Sequence, residues 1–178
     1  WCQHSFDRIL AACGPAGCLL SGDELVGILS CRSLVCSTAF SGIGTAETAH
    51  GIITGTARAR FKTGNPLAVS CEFAIEWNAK ARAELIASPH CPQHIFLDMM
   101  SFAGPALSAA AESDDVEALK AAECRTRAYC VQHGQICETM VADVHIAGTP
   151  CVDYSNLGPR RGSSGASARY FRVWCRQR

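Results

Sequence analysis

The sequence carries no surplus of charge. Lys and Arg number 16, Asp and Glu 16, for a formal net charge of +0, so the chain as a whole does not advertise a polyanionic partner. It lacks any apolar run near the roughly 18 residues that a membrane-spanning helix needs, which sets a membrane partner aside. No basic stretch followed by a hydrophobic one opens the chain at Trp1, so these residues read as no secretory signal. Internal repeats and low-complexity linkers are missing as well. Charged residues are scarce at 18%, against 48% hydrophobic, a balance that argues against disorder and for a globular fold. A length of 178 residues suits one domain with a sizeable core. The start at Trp1 instead of a methionine suggests a piece of a longer translation product.

Paired C-x-x-C spacing is also missing, although the chain has 12 cysteines. Disulfide-stapled proteins are loop-rich, whereas Cys36, Cys71 and Cys130 sit inside apolar-periodic segments. They read as reduced, buried cysteines acting as small hydrophobes, and so as a mark of an intracellular protein. Cys130, His133 and Cys137 fall at helical i, i+3, i+7 spacing with Cys124 upstream, and His90, Cys91 and His94 form a second small group. Without the paired spacing of structural zinc modules both groups read as scattered core and surface residues, and no metal is expected. Charge is uneven in one place. From Arg160 to Arg178 the chain has Arg160, Arg161, Arg169, Arg172, Arg176 and Arg178 and no acid, a basic segment able to contact phosphates.

Residues 1–33 are rich in Gly and Cys and read as a lead-in, with a short helix over 23–30. Residues 34–178 read as the domain. Leu34 to Phe40 is a short β-branched apolar run, a buried strand. Gly42 to Gly51 starts with glycine and turns helical in composition, and Gly55 to Pro66 is polar, basic and irregular. Leu67 to Trp77 is a second strand, Ala79 to Ala87 a helix, His94 to Met100 a third strand. Asp114 to His133 reads as one long helix with Ser113 or Asp114 as its cap. Val141 to Ala147 is a fourth strand, Asn156 to Ser167 a mobile Gly- and Ser-rich loop, and Ala168 to Cys175 the start of another helix. Strands alternating with helices predict an α/β fold with a parallel sheet.

Candidate site residues fall at the strand ends, where open α/β sheets bind ligands. Phe40-Ser41-Gly42-Ile43-Gly44 is a turn whose glycines let backbone approach a ligand. Glu47 stands where a dinucleotide fingerprint wants a third glycine, which disfavours a dinucleotide and leaves another nucleoside-bearing cofactor open. Glu76 can accept the hydroxyls of a ribose, Trp77 can cover an adenine face, and Asp98 can accept from an adenine amino group. Each also has an ordinary reading as a cap, a half-buried tryptophan or a solvated strand end. In Gly148-Thr149-Pro150-Cys151, a cysteine follows a proline just after a strand, where its thiol is open to substrate.

These four segments occur in the order of the first four motifs of DNA cytosine-5 methyltransferases, and the chain resembles that family over about residues 34 to 175. The resemblance implies a Rossmann-like S-adenosyl-methionine-dependent methyltransferase fold, a parallel sheet flanked by helices, incomplete at its C-terminus. It implies S-adenosyl-L-methionine as cofactor, with Phe40, Ser41, Gly42, Ile43 and Gly44 around the methionine moiety. Glu76 then takes the ribose, Trp77 lies beside the adenine, Asp98 takes its amino group, and Met99 and Pro150 adjoin the cofactor. Cys151 is implied as the nucleophile, with Ser155, Arg160 and Arg161 contacting DNA. The implied location is nuclear if the source is a eukaryote.

The chain departs from the family in several places. After the cysteine, Val152, Asp153, Tyr154 and Ser155 match the family's pattern only loosely. About ten residues, Gly55 to Pro66, look inserted between the first two motifs. Glu72 competes with Glu76 for the ribose role. Met100 to Met140 exceeds the usual connection and leaves room for extra helix. No Glu-Asn-Val motif is present to supply the glutamate that acts on the cytosine ring, so the 178 residues alone are expected to be inert. Two alternatives stay open: a non-catalytic remnant that keeps the cofactor pocket, and an enzyme of the same chemistry acting on RNA.

Overall fold

The computed structural model describes residues 34–61, 69–150, 153, 154, 156 and 158–177. The lead-in 1–33, Leu67, Cys151, Val152, Ser155 and Arg178 lie outside the described residues. The described chain is α/β, with a six-stranded mixed sheet flanked by helices. Strand β1 (Leu34–Ala39) lies between two parallel neighbours, β2 (Val69–Ile75) and β6 (Val144–Ala147). Strand β3 (His94–Phe96) adds in parallel beyond β2. A hairpin of β4 (Arg127–Cys130) and β5 (Gln135–Glu138) closes that edge antiparallel, for the order β5-β4-β3-β2-β1-β6. The expected all-parallel sheet is thus corrected to a mixed one, and the hairpin is the reason.

The central position of β1 explains its composition. With a neighbour on each edge and helices on both faces, Cys36, Ser37, Thr38 and Ala39 are all buried, as in strands that read as continuous apolar runs. Its two hydroxyls stay paired. Ser37 meets His145 of β6, and Thr38 donates to the buried carboxylate of Glu47. That second bond, with the Cys36–His50 contact at 3.1 Å, puts helix α1 (Thr45–Phe61) on the Cys36/Thr38 face. Helix α2 (Ala79–Ala87) covers the same face through Leu85, which packs on Ala74 and Ile95. Asn78 caps α2, its side chain accepting from Lys80 and Ala81 N–H at 2.9 and 3.2 Å, which is why that helix starts where the sequence places it.

The opposite face holds the main core. Phe73, Ile75, Phe96, Met99, Phe102, Leu107 and Val173 pack there beneath a 3-10 turn (Met99–Phe102), α3 (Pro105–Ser113) and α5 (Ala168–Gln177). Trp174 of α5 stacks on His145 with ring centroids 5.8 Å apart. Three arginines of the acid-free tail, Arg169, Arg172 and Arg176, serve this packing. Arg172 donates to the Ala111 and Ser163 carbonyls and pairs with Asp114 at 2.8 Å. Arg176 donates to the Ala122 carbonyl at 2.7 Å, and Arg169 pairs with Glu112 at 3.3 Å.

Three other expectations are corrected. Helix α1 runs on to Phe61 through part of the segment expected to be irregular, because Ala and Arg at 57–60 favour helix enough to carry the single Gly55. The third strand ends at Phe96, since Asp98 caps the 3-10 turn by accepting from Met100 N–H at 3.0 Å. The long helix over 114–133 does not form. Asp114 ends α3 in the left-handed region, and Asp115 caps a short α4 (Val116–Ala121). From Arg127 on, Tyr, Cys and Val prefer strand, and the turn closes at Gly134, whose N–H reaches the Cys130 carbonyl at 2.9 Å.

Candidate functional site

The sequence order of the strands reverses between β1 and β6. Strands β2 and β3 succeed one another on one side of β1, while β6 adds on the other, the kind of place where open α/β sheets bind ligands. A cavity of about 510 Å³ lies there, a size suited to a cofactor. Phe40, Ile75, Trp77, Asp98, Met99 and Pro150 line it from four strand ends, and Asp153, Arg161, Ser167, Arg169 and Tyr170 close it from the C-terminal segment. The lining is mostly apolar with a few convergent polar groups.

The turn after β1 is strained and firmly tied. Phe40 has φ 55, Gly42 φ 58 and Gly44 φ 84. Left-handed backbone is uncommon for an aromatic residue, and a non-glycine residue there costs on the order of 1–2 kcal/mol. Several bonds hold it: Ser41 N–H to the Ile75 carbonyl at 3.3 Å, Thr38 Oγ1 to Ser41 Oγ at 2.7 Å, and Gly42 N–H to Glu76 Oε2 at 2.7 Å. At Gly42 a side chain would meet open space, while at Gly44 it would meet Leu85 at 2.7 Å. Gly42 is needed for its left-handed backbone and not for lack of room, whereas Gly44 also lets α1 pack close to α2.

Glu76 is buried, and both its oxygens are engaged. Oε2 accepts from Gly42 N–H and Oε1 from Asn78 N–H at 2.8 Å. It fastens the turn after β1 to the loop after β2, and a carboxylate keeps further lone pairs for a ligand hydroxyl. Arg82 steadies the same loop by donating to the Glu76 and Trp77 carbonyls at 3.0 and 2.5 Å. Trp77 is 70% exposed at the crevice rim, free to lie on a planar ligand. Glu72 is buried on β2 as well, and neither glutamate is among the residues that line the cavity, but only Glu76 is bonded to the turn after β1.

Of the sequence-predicted residues, the cavity gathers Phe40, Trp77, Asp98, Met99, Pro150 and Arg161. Ser41, Gly42 and Glu76 form the frame behind it. Ile43 points outward at 64% exposure and Gly44 packs inward, so neither lines the cavity. Arg161, expected on DNA, is exposed and borders the cavity, while Arg160 is exposed with φ 53. Cys151 and Ser155 lie outside the described residues. The chain leading to Cys151 is placed, however: Gly148 N–H donates to the Ala39 carbonyl at 3.1 Å, which brings Pro150 alongside Phe40.

Apart from Arg161, the residues that close the cavity do not read as site residues in the sequence. Tyr170 meets Phe40 edge to face at 6.5 Å, and Arg169 lies 5.0 Å from the centre of the Tyr170 ring. The loop expected to be mobile is pinned by Asp153, whose carboxylate accepts from Ser167 N–H at 2.9 Å and Ser167 Oγ at 2.6 Å, while its carbonyl accepts from Gly162 N–H at 2.8 Å. The Ser167 hydroxyl, the Ser167 N–H and the nearby Arg161 hold the Asp153 carboxyl below its usual range. A lowered folded-state pKa stabilises the loop at every pH above the ordinary carboxylate value of about 3.9, and that contribution is lost as pH falls through the lower, folded-state value. In a carboxyl-carbon NMR titration Asp153 therefore changes shift only below the ordinary range, with Ser167 amide exchange quickening in step. A midpoint at or above that range contradicts this pinning.

No protein-family model matches the chain, and no curated protein matches it at a significant level.

Proposed function

We propose that the chain is part of a cytosine-5 methyltransferase of Rossmann-like architecture and that the crevice binds S-adenosyl-methionine. The observation that carries this reading is the gathering of Phe40, Trp77, Asp98 and Pro150 around one cavity, with Glu76 fixed behind them. The lining fits such a cofactor. Trp77 offers a flat apolar face for an adenine and Asp98 an acceptor for its amino group, while Glu76, directly behind the lining, has spare lone pairs for a ribose. Phe40, Met99 and Pro150 give an apolar wall for the remainder.

The cofactor supplies an electrophilic methyl group. The chain's part is to make carbon 5 of cytosine able to accept it. Carbon 5 of the intact ring is a poor nucleophile. The Cys151 thiolate adds to carbon 6, and the electron pair of the 5,6 double bond becomes available at carbon 5. After carbon 5 has taken the methyl group, its proton leaves to a base, the carbon–sulfur bond breaks, and the thiolate is regenerated. A base stacked in a duplex is out of reach, so it must be flipped out at a cost of a few kcal/mol. Arg160, exposed beside the crevice, is suited to a backbone phosphate.

Calorimetry with S-adenosyl-homocysteine tests the cofactor site. The chain is expected to bind it, and Asp98→Ala to weaken binding by about 10- to 100-fold, the worth of a hydrogen bond to a charged group. No measurable binding, or equal binding by both proteins, contradicts the reading.

A further inference from the structure

A second cluster of reactive side chains lies away from the crevice. His94 opens β3, at the end of that strand remote from Asp98. Cys130 ends β4, His133 sits in the hairpin turn, and Cys137 lies on β5. One donor atom from each of the four lies within 4.8 Å of all the others. His133 Nδ1 is 3.6 Å from Cys130 Sγ and 3.5 Å from Cys137 Sγ. The His94 and His133 rings meet edge to face with centroids 4.8 Å apart. His94 Nδ1 is buried with no hydrogen-bond partner, which is costly for a polar atom unless something binds it. Both cysteines are buried free thiols.

We propose that His94, Cys130, His133 and Cys137 bind a structural zinc ion. The proposal runs against the expectation of no metal read from the sequence. In the sequence the two groups look separate, and the spacing of 130, 133 and 137 looks helical. The hairpin instead folds Cys130 and Cys137 toward each other, and β3 brings His94 from the other group. Cys124, His90 and Cys91 do not join the four.

The chemistry and geometry favour zinc. Two thiolates and two imidazoles are a ligand set that selects zinc over magnesium or calcium. Zinc–sulfur bonds of about 2.3 Å and zinc–nitrogen bonds of about 2.0–2.1 Å in a tetrahedron put ligand atoms about 3.3–3.8 Å apart. Two of the contacts already fall in that range, and the widest separation closes by about an ångström. Four protein ligands leave no open position, so the ion is structural and not catalytic. His133 is exposed, which gives the ion a way in.

The fold has a use for such an ion. Strand β3 pairs with β4 through a single residue pair, Phe96 with Cys130. The hairpin beyond it has strands of four residues each, and short two-stranded hairpins are marginal on their own. An ion held by β3, β4, the turn and β5 fastens the hairpin to the sheet where backbone pairing is thinnest.

The test uses the reduced full chain. Zinc is measured by mass spectrometry after purification without chelator, and cobalt(II) is titrated into the metal-free protein. One zinc per chain is expected, together with the visible bands of a tetrahedral cobalt thiolate. His133→Ala, a change at an exposed turn that should leave the fold intact, and Cys137→Ser are each expected to lose the zinc and the bands. Cys175→Ser, at an exposed thiol on α5, is expected to keep both. A chelator should lower the melting temperature of the parent chain and leave that of His133→Ala unchanged. A parent chain without zinc or cobalt bands overturns the proposal. So does zinc retained by both ligand variants, or a Cys130–Cys137 disulfide found in unreduced peptides.

Discussion

Phe96→Ala is expected to destabilise the fold by about 3–5 kcal/mol, the usual cost of emptying a fully buried aromatic site. Phe96 has no exposed surface and stands at the junction of the sheet with the 3-10 turn after β3. Its ring meets Phe73 of β2 at 5.9 Å and Phe102 of the 3-10 turn at 5.1 Å, both edge to face. Its backbone carbonyl accepts from Glu76 N–H at 3.0 Å, so the residue also anchors the loop that carries Glu76. Small domains are stable by about 5–15 kcal/mol, so the variant keeps little margin. Urea denaturation measures the effect. A loss below about 1 kcal/mol would show that the core around Phe96 is looser than its burial implies.

Glu76→Ala is expected to cost about 2–3 kcal/mol of stability and to weaken S-adenosyl-homocysteine binding by at least about 100-fold. Both Glu76 oxygens take backbone N–H groups, and each donor left without a partner costs about 1–3 kcal/mol. Gly42 is only partly buried, so water recovers some of that loss and the lower part of the range applies. The binding loss is larger because the carboxylate holds the strained turn at Phe40 and, in the proposed cofactor site, would also offer its remaining lone pairs to the ribose. Glu76→Gln is the sharper variant. It keeps one carbonyl oxygen but aims an amide N–H₂ at either the Gly42 or the Asn78 N–H, and two donors then face each other. The glutamine variant should therefore behave nearly as badly as alanine. Denaturation and calorimetry report the two effects separately, and a glutamine variant with parent-like values in both would remove Glu76 from the site.

How much the sequence made legible depended on how local the cause was. Strands β1 and β2 announce themselves through β-branched and alternating residues, and α2 through the helical composition of Ala79 to Ala87. Positions at strand ends, such as Glu76, Trp77 and Asp98, can be read from where those strands stop, and the cavity gathers Trp77 and Asp98 accordingly. The failures have nonlocal causes. Residues 114–133 mix helical and extended preferences, and only pairing of β4 with β3 and β5 decides between them. Tyr170 reaches Phe40 because α5 packs back across the sheet, a contact between residues far apart in sequence. The arginines at 169, 172 and 176 look like a phosphate-binding strip when read in line. In space two of them donate to backbone carbonyls and the third to a glutamate and Tyr170. The proposed zinc ligands illustrate the same limit, since His94 and Cys130 are brought together only by strand pairing.

The most direct test of cofactor binding in the crevice is a crystal structure of the chain with S-adenosyl-homocysteine. The adenine is expected against Trp77 with its amino group on Asp98, the ribose at Glu76, and the sulfur between Phe40 and Pro150. A ligand bound elsewhere on the molecule, or seated in the crevice with its adenine away from Trp77 and Asp98, would contradict it.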